Sequence, residues 1–288
     1  MAGKRAEGKS YGNGWMYRTL IGWLKHINIK LFYLFSAVFA IPISMIFSRG
    51  MRLTYRFFRT RKGWGRWSSF ISTYKNHCIF AQTVIDKFAM YAGHKFKINY
   101  KGLESYKELL SSPDSFLQLS AHIGCSEIVG YSFHLEKPFN VLVYGGESAE
   151  LMNYRRSSFG NMNIKMIPVG TEVSHSEDIV NALENGEILS AFADRYVNKN
   201  KTIVEKLYGE EIYLAKGPFS IAVTRGLNVV MVSALKEKDG SYTAYITPLK
   251  YDKSLSPKEQ RQQLAKAYIA EIERILDIYP LQWFNYSR

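Results

Sequence analysis

His122, Gly124 and Glu127 stand within the run Ala121-His122-Ile123-Gly124-Cys125-Ser126-Glu127. An imidazole and a carboxylate are the minimum for general-base chemistry. The ring takes a proton from an attacking hydroxyl or amine, while the carboxylate holds one tautomer and stabilises the imidazolium. Positions i and i+5 point in different directions on a continuous helix, so the pair meets only if His122 lies on a loop and Glu127 in the first turn of the next helix. Gly124 permits the tight turn this needs. The start of that helix then offers unpaired N–H groups to a developing oxyanion. Such a set suits acyl transfer with direct activation of the acceptor and no covalent enzyme intermediate.

Other residues carry weaker signals. Cys125 raises the question of a thiol nucleophile, but without Asn or Asp support it reads as a small packing residue. Asp194-Arg195 sits at the end of a strand, where the acid either caps a turn, pairs with Arg195 or faces a ligand. Arg155-Arg156 is either a solvated helix face or an anion contact, and Lys216 before Gly217-Pro218 is either an exposed lysine or one facing an anionic group. His134 and His175 have no partner pattern. No His/Cys/Asp cluster has metal-ligand spacing, and Tyr144-Gly145-Gly146 lacks the glycine spacing and Lys-Ser/Thr of a phosphate loop, so neither metal nor cofactor is expected.

The elements that must position these residues are legible as alternating short apolar runs and helical patterns. Helix is predicted over 65–92, stopped by Gly93. Strands are predicted over 96–100, 116–121, 140–144, 165–169 and 187–194, with helices over 105–110, 126–133, 149–159 and 177–183 between them. Asn228–Lys236 and Tyr242–Leu249 flank Lys238-Asp239-Gly240, a hairpin signal, and 256–279 reads as a terminal helix opened by Ser-Pro. The class is therefore α/β, with a mixed, largely parallel sheet flanked by helices.

Composition fits a packed fold: 47% of the 288 residues are hydrophobic and 15% aromatic. The net charge of +13 is localised. Between Met1 and Thr83, fourteen Lys and Arg face the single acid Glu7, while acids and bases balance in the remainder. Within that basic region the uncharged run Leu31–Ser48 just reaches membrane-span length. Trp15, Tyr17 and Trp23 precede it and Tyr55, Phe57, Phe58, Trp64 and Trp67 follow, as interfacial anchors do. A full span, a re-entrant hairpin broken near Pro42 and an in-plane helix all remain open. Basic residues that surround an apolar run argue against a nucleic-acid partner. Two cysteines, Cys78 and Cys125, build no disulfide framework, which fits a reducing compartment. Residues 1–92 thus read as a membrane-anchoring helical region and 93–288 as the α/β domain.

The His-x-Gly-x-x-Glu run at a strand end, behind a basic and aromatic membrane segment, resembles the His-x-x-x-x-Asp/Glu signature of the lysophospholipid acyltransferase superfamily, and more closely its lipid A late acyltransferase branch. Glu147–Gly160 resembles the family's second block, Gly186–Arg195 the third, and Tyr208–Ala222 the segment after it. Cys125-Ser126 departs from the Asn-Trp found there in many members, which alters the wall beside the catalytic pair. The resemblance implies catalysis by His122 and Glu127, with Arg155, Arg156, Asp194, Arg195, Lys216 and Gly217 as substrate-binding candidates. It implies an acyl thioester donor, acyl-acyl-carrier protein or acyl-CoA, and a membrane lipid acceptor such as a lipid A precursor. The implied location is the bacterial inner membrane, with the site facing the cytoplasm and the basic region on an anionic membrane surface. A silent lipid-binding scaffold and a membrane-bound thioesterase are the rival readings.

Overall fold

A computed structural model describes residues 14–132, 137–144, 163–169 and 176–285. Helices α1 (Gly14–Leu24) and α2 (Ile29–Phe47) come first, then α3 (Arg49–Thr60) and the long α4 (Arg66–Tyr91). Strand β1 (Ile98–Lys101), α5 (Leu103–Ser111), β2 (Phe116–Ser120), α6 (Ser126–Ser132), β3 (Phe139–Tyr144) and β4 (Ile164–Val169) follow. The chain continues through α7 (Ser176–Glu184), β5 (Ile188–Phe192), β6 (Thr202–Leu207), β7 (Glu210–Ala215), α8 (Lys216–Thr224), β8 (Asn228–Lys236), β9 (Tyr242–Leu249) and α9 (Pro257–Ile278). The helix predicted over 149–159 lies outside the described residues.

Seven strands form one sheet in the order β1-β9-β8-β2-β5-β3-β4, with only the β8/β9 pair antiparallel. The class is the α/β, largely parallel one that the alternation predicts. Every residue of β2 is buried, as expected of a parallel strand covered on both faces. The β6/β7 hairpin was not predicted. Its two-residue loop is Tyr208-Gly209, both at positive φ, so the usual Asn-Gly or Asp-Gly signature is missing.

Helix α9 begins at a capping box, with Ser256 and Glu259 each bonded to the other's backbone. Its buried Leu264, Ala265, Tyr268, Ile269, Ile272, Ile275 and Leu276 recur at helical spacing against the main core. Tyr268 Oη donates to Ser120 O at 2.8 Å, which fixes the last residue of β2 just before His122.

Helix α2 passes through Pro42 without breaking. Proline cannot donate to the carbonyl four residues back and crowds it, and the helix widens into a π turn at Ser36–Ala40 to absorb this. A hairpin broken at Pro42 is thereby excluded. The helix is long and apolar enough to cross a membrane. One side docks on α4: Tyr74 Oη donates to Ala37 O at 3.1 Å, and Tyr33 Oη donates to buried Asp86, which also accepts from Lys236 Nζ and Tyr242 Oη. The opposite side leaves Leu34, Phe35, Phe39, Ile46 and Phe47 exposed.

In α3, Met51, Thr54, Phe57 and Phe58 face inward while Arg49, Arg52 and Arg56 face out. Phe57 and Phe58 share one core with Leu117, Leu119 and Leu189 of the sheet. Not every base of the region is available to an anion. Arg61 donates to Leu207 O and Glu211 O, both at 2.9 Å, and Lys62 binds Tyr208 and Asp277.

Candidate active site

The register of the sheet builds the site. β2 and β5 pair in parallel from Phe116↔Ile188 to Ser120↔Phe192, so two residues further on His122 and Asp194 leave adjacent strands at the same level. Their side chains meet at the carboxyl ends of the strands, where α/β sheets place ligands. His122 Nδ1 lies 2.8 Å from Asp194 Oδ1, and the His122 backbone N–H donates to Asp194 Oδ2 at 2.9 Å. Asp194 is fully buried, whereas the imidazole is 29% exposed and tilts over Phe192.

Burial alone would raise the Asp194 carboxyl. The charge of His122 and its two hydrogen bonds, with Arg195 adding, outweigh burial and hold it below the ordinary carboxylate range. An ionised carboxylate only accepts, so Nδ1 carries the proton. Nε2 has no hydrogen-bond partner among the described residues, and the imidazole as a whole is part-exposed. In the neutral ring a proton on Nδ1 leaves the lone pair on Nε2, the arrangement general-base chemistry needs.

The loop under His122 is held on both sides. Gly124 N–H donates to Gln282 O and Cys125 N–H to Ala234 O, both at 2.8 Å, while Phe284 N–H donates to His122 O at 2.8 Å. Gly124 has φ +60°, and a Cβ there would lie 1.9 Å from Ala234 O, so only glycine fits. Because Ile123 N–H bonds to Ala121 O, the amides of 123, 124 and 125 are all engaged. The expected oxyanion donors at this turn do not include those three.

Glu127 sits in the first turn of α6, as expected. It is expected to orient the imidazole, while the carboxylate that faces His122 Nδ1 is that of Asp194. Glu127 Oε1 accepts from Lys87 Nζ at 2.7 Å and Oε2 from Tyr91 Oη at 2.8 Å. Lys87 and Tyr91 were missed by sequence reasoning, although Asn76, Phe80, Thr83, Lys87 and Tyr91 recur every three or four residues along one stripe of α4.

Two further expectations change. Asp194, predicted to bind substrate, spends both oxygens on His122. Arg195, predicted to do the same, turns back: its Nε donates to Asn285 Oδ1 at 3.3 Å and its Nη2 to Phe284 O at 3.0 Å. Lys216 and Gly217 are exposed at the start of α8. Arg155, Arg156, His134 and His175 lie outside the described residues. Cys125 is buried, and burial followed by the charge of Glu127 pushes its thiol up to about 12, which removes it as a nucleophile.

Fold and site together define an α/β protein with a histidine–aspartate pair exposed at one nitrogen, beyond the carboxyl ends of two parallel strands. The sequence pattern of the bacterial lipid A biosynthesis acyltransferases matches residues 80–287, most of the chain. The protein belongs to that family and is an acyltransferase. Comparison with individually curated proteins gives no match.

Proposed function

We propose that the protein transfers a fatty acyl chain from an acyl thioester to a hydroxyl of a lipid A precursor, with His122 Nε2 as the general base. One observation carries this reading: the contact of His122 Nδ1 with Asp194 Oδ1, which assigns the Nδ1 proton to that hydrogen bond and reserves Nε2 of the neutral ring for the acceptor. The acceptor O–H gives its proton to Nε2 as its oxygen attacks the thioester carbonyl carbon. The tetrahedral intermediate then collapses, the C–S bond breaks, and the leaving thiolate takes the proton back from the imidazolium. Asp194 stays ionised throughout and stabilises the imidazolium.

Glu127 remains in the proposed site. Its carboxylate, held by Lys87 and Tyr91, is proposed to fix the first turn of α6 beside the His122 loop. Arg155, Arg156, Lys216 and Gly217 are proposed to meet the phosphate or headgroup of the acceptor. The donor is proposed to ride on acyl carrier protein, whose acidic surface suits the exposed Arg49, Arg52 and Arg56 of α3. The exposed aliphatic and aromatic face of α2 supports membrane attachment, and the inner membrane with the site towards the cytoplasm is the location proposed.

Mass spectrometry of membrane lipids from isogenic cells carrying wild type or His122→Ala tests the reading. A lipid that gains one acyl chain only with wild type is expected. Equal acylation with both proteins would refute the base assignment, and free fatty acid as the product would show water to be the acceptor.

A further inference from the structure

The segment Leu281–Asn285 belongs to no long strand or helix, yet it touches every part of the dyad's support. It pairs with the His122 loop through the Ile123↔Trp283 bridge, through Gly124 N–H to Gln282 O and through Phe284 N–H to His122 O. The Gln282 side chain accepts from Lys236 N–H at 2.9 Å and donates to Lys236 O at 2.7 Å, which locks the segment to the end of β8. From α4, Asn76 Nδ2 donates to Leu281 O at 2.8 Å and to Trp283 O at 3.0 Å, and the Phe80 ring packs 5.0 Å from Phe284. Asn285, 3% exposed, reaches the other partner: its Nδ2 donates to Asp194 O while its Oδ1 accepts from Arg195. One stretch of five residues thus grips the His122 loop by its main chain and the Asp194 turn by a side chain.

We infer that Leu281–Asn285 is the positioning element of the dyad, and that Asn285 is the residue through which it fixes Asp194 against His122. The inference rests on the proposed His122/Asp194 reading. The β2/β5 register brings the two strand ends level, and beyond the strands the placing of the two turns also depends on what ties one to the other. A dyad that must deliver its base within about 0.5 Å needs such a tie, and a 1 Å error costs on the order of a hundredfold in rate. The hydrogen bonds of Asn285 go to the Asp194 carbonyl and to Arg195 rather than to the imidazole, so it is a positioning residue and its loss acts on kcat through Asp194.

The experiment uses the full chain in detergent with a labelled acyl thioester and a lipid A precursor. kcat, KM and Tm are measured for Asn285→Ala, Asp194→Asn and the double variant. Asn285→Ala is expected to lower kcat about thirtyfold with KM within about twofold. On the Asp194→Asn background it is expected to cost almost nothing more, because the geometry it serves is already gone. Equal fold losses on both backgrounds would overturn the inference and reduce Asn285 to general packing, as would an Asn285→Ala enzyme of unchanged kcat. Should Asn285→Ala fail to fold, Asn285→Asp keeps the shape and the acceptor for Arg195 and replaces the donor to Asp194 O by a charged oxygen. The same cycle is then read with it. Full activity in Asp194→Asn would overturn the dyad itself and the inference with it. An inactive Asp194→Asn beside independent losses for Asn285 overturns the inference alone.

Discussion

Replacing Asp194 by asparagine keeps the size of the side chain and removes one acceptor. In the native site both oxygens accept from His122, one from the ring and one from the main chain. An amide has only one oxygen. If that oxygen keeps the backbone N–H, the NH2 faces Nδ1, forces the proton to Nε2 and leaves no base. If the oxygen keeps Nδ1, two donors confront each other in a fully buried space. Either way a charge-assisted hydrogen bond of roughly 1.5–3 kcal/mol is lost. The wrong-tautomer arrangement in a serine-protease triad costs about 10^4-fold in kcat. We therefore expect Asp194→Asn to lower kcat by about 10^3- to 10^4-fold, or roughly 4–5.5 kcal/mol of transition-state stabilisation, with KM little changed. The assay is turnover of labelled acyl thioester onto a lipid A precursor. A kcat within tenfold of wild type would refute the dyad. The same variant tests the ionisation of Asp194. A carboxyl whose folded pKa lies below its unfolded value of about 3.9 contributes stability above about pH 4 and loses it as pH falls through the folded value. The wild-type Tm should therefore fall more steeply below pH 4 than that of Asp194→Asn.

Three other outcomes follow from the same contacts. Gly124→Ala places a methyl 1.9 Å from Ala234 O at a positive φ; thermal unfolding should report a loss of roughly 2–4 kcal/mol together with loss of turnover, and a wild-type Tm would contradict the close approach. Lys236→Met leaves Asp86 buried without its cation, so denaturant titration should show about 3–5 kcal/mol of destabilisation, partly recovered in Asp86→Asn/Lys236→Met. Phe35→Glu with Phe39→Glu charges the outer side of α2, and the share of protein sedimenting with membranes should drop; an unchanged share would place the lipid contact elsewhere.

Local signals carried much of the fold. Asp239-Gly240 marked the β8/β9 hairpin and Ser256-Pro257 the start of α9, because turn and cap chemistry is written within four residues. The β6/β7 hairpin escaped because Tyr208 occupies a left-handed turn position where tyrosine is an unusual choice. His122 and Asp194 were each legible as residues at strand ends. Their pairing was not, since it depends on β5 lying beside β2, a contact between segments 72 positions apart. Nearness in sequence favoured Glu127 instead, and Lys87 and Tyr91 claim that carboxylate from a helix 36 to 40 positions away.

Helix α4 explains why the apolar N-terminal segment is not a detachable tether. Along one stripe it offers Asn76 to Leu281 and Trp283, Phe80 to Phe284, the Thr83 carbonyl to the Cys125 thiol, and Lys87 and Tyr91 to Glu127. Beside that stripe Asp86 receives Tyr33 from α2 and Lys236 from β8. The element that braces the His122 loop is thus the one on which the apolar helix is docked. The Tyr33–Asp86 and Tyr74–Ala37 hydrogen bonds dock α2 on α4. Phe57 and Phe58 tie α3 into the sheet's core in the same way. The outer face of α2 consequently stands in a set relation to Nε2 of His122. The proposed membrane contact and the proposed dyad are in this way joined through one element, α4.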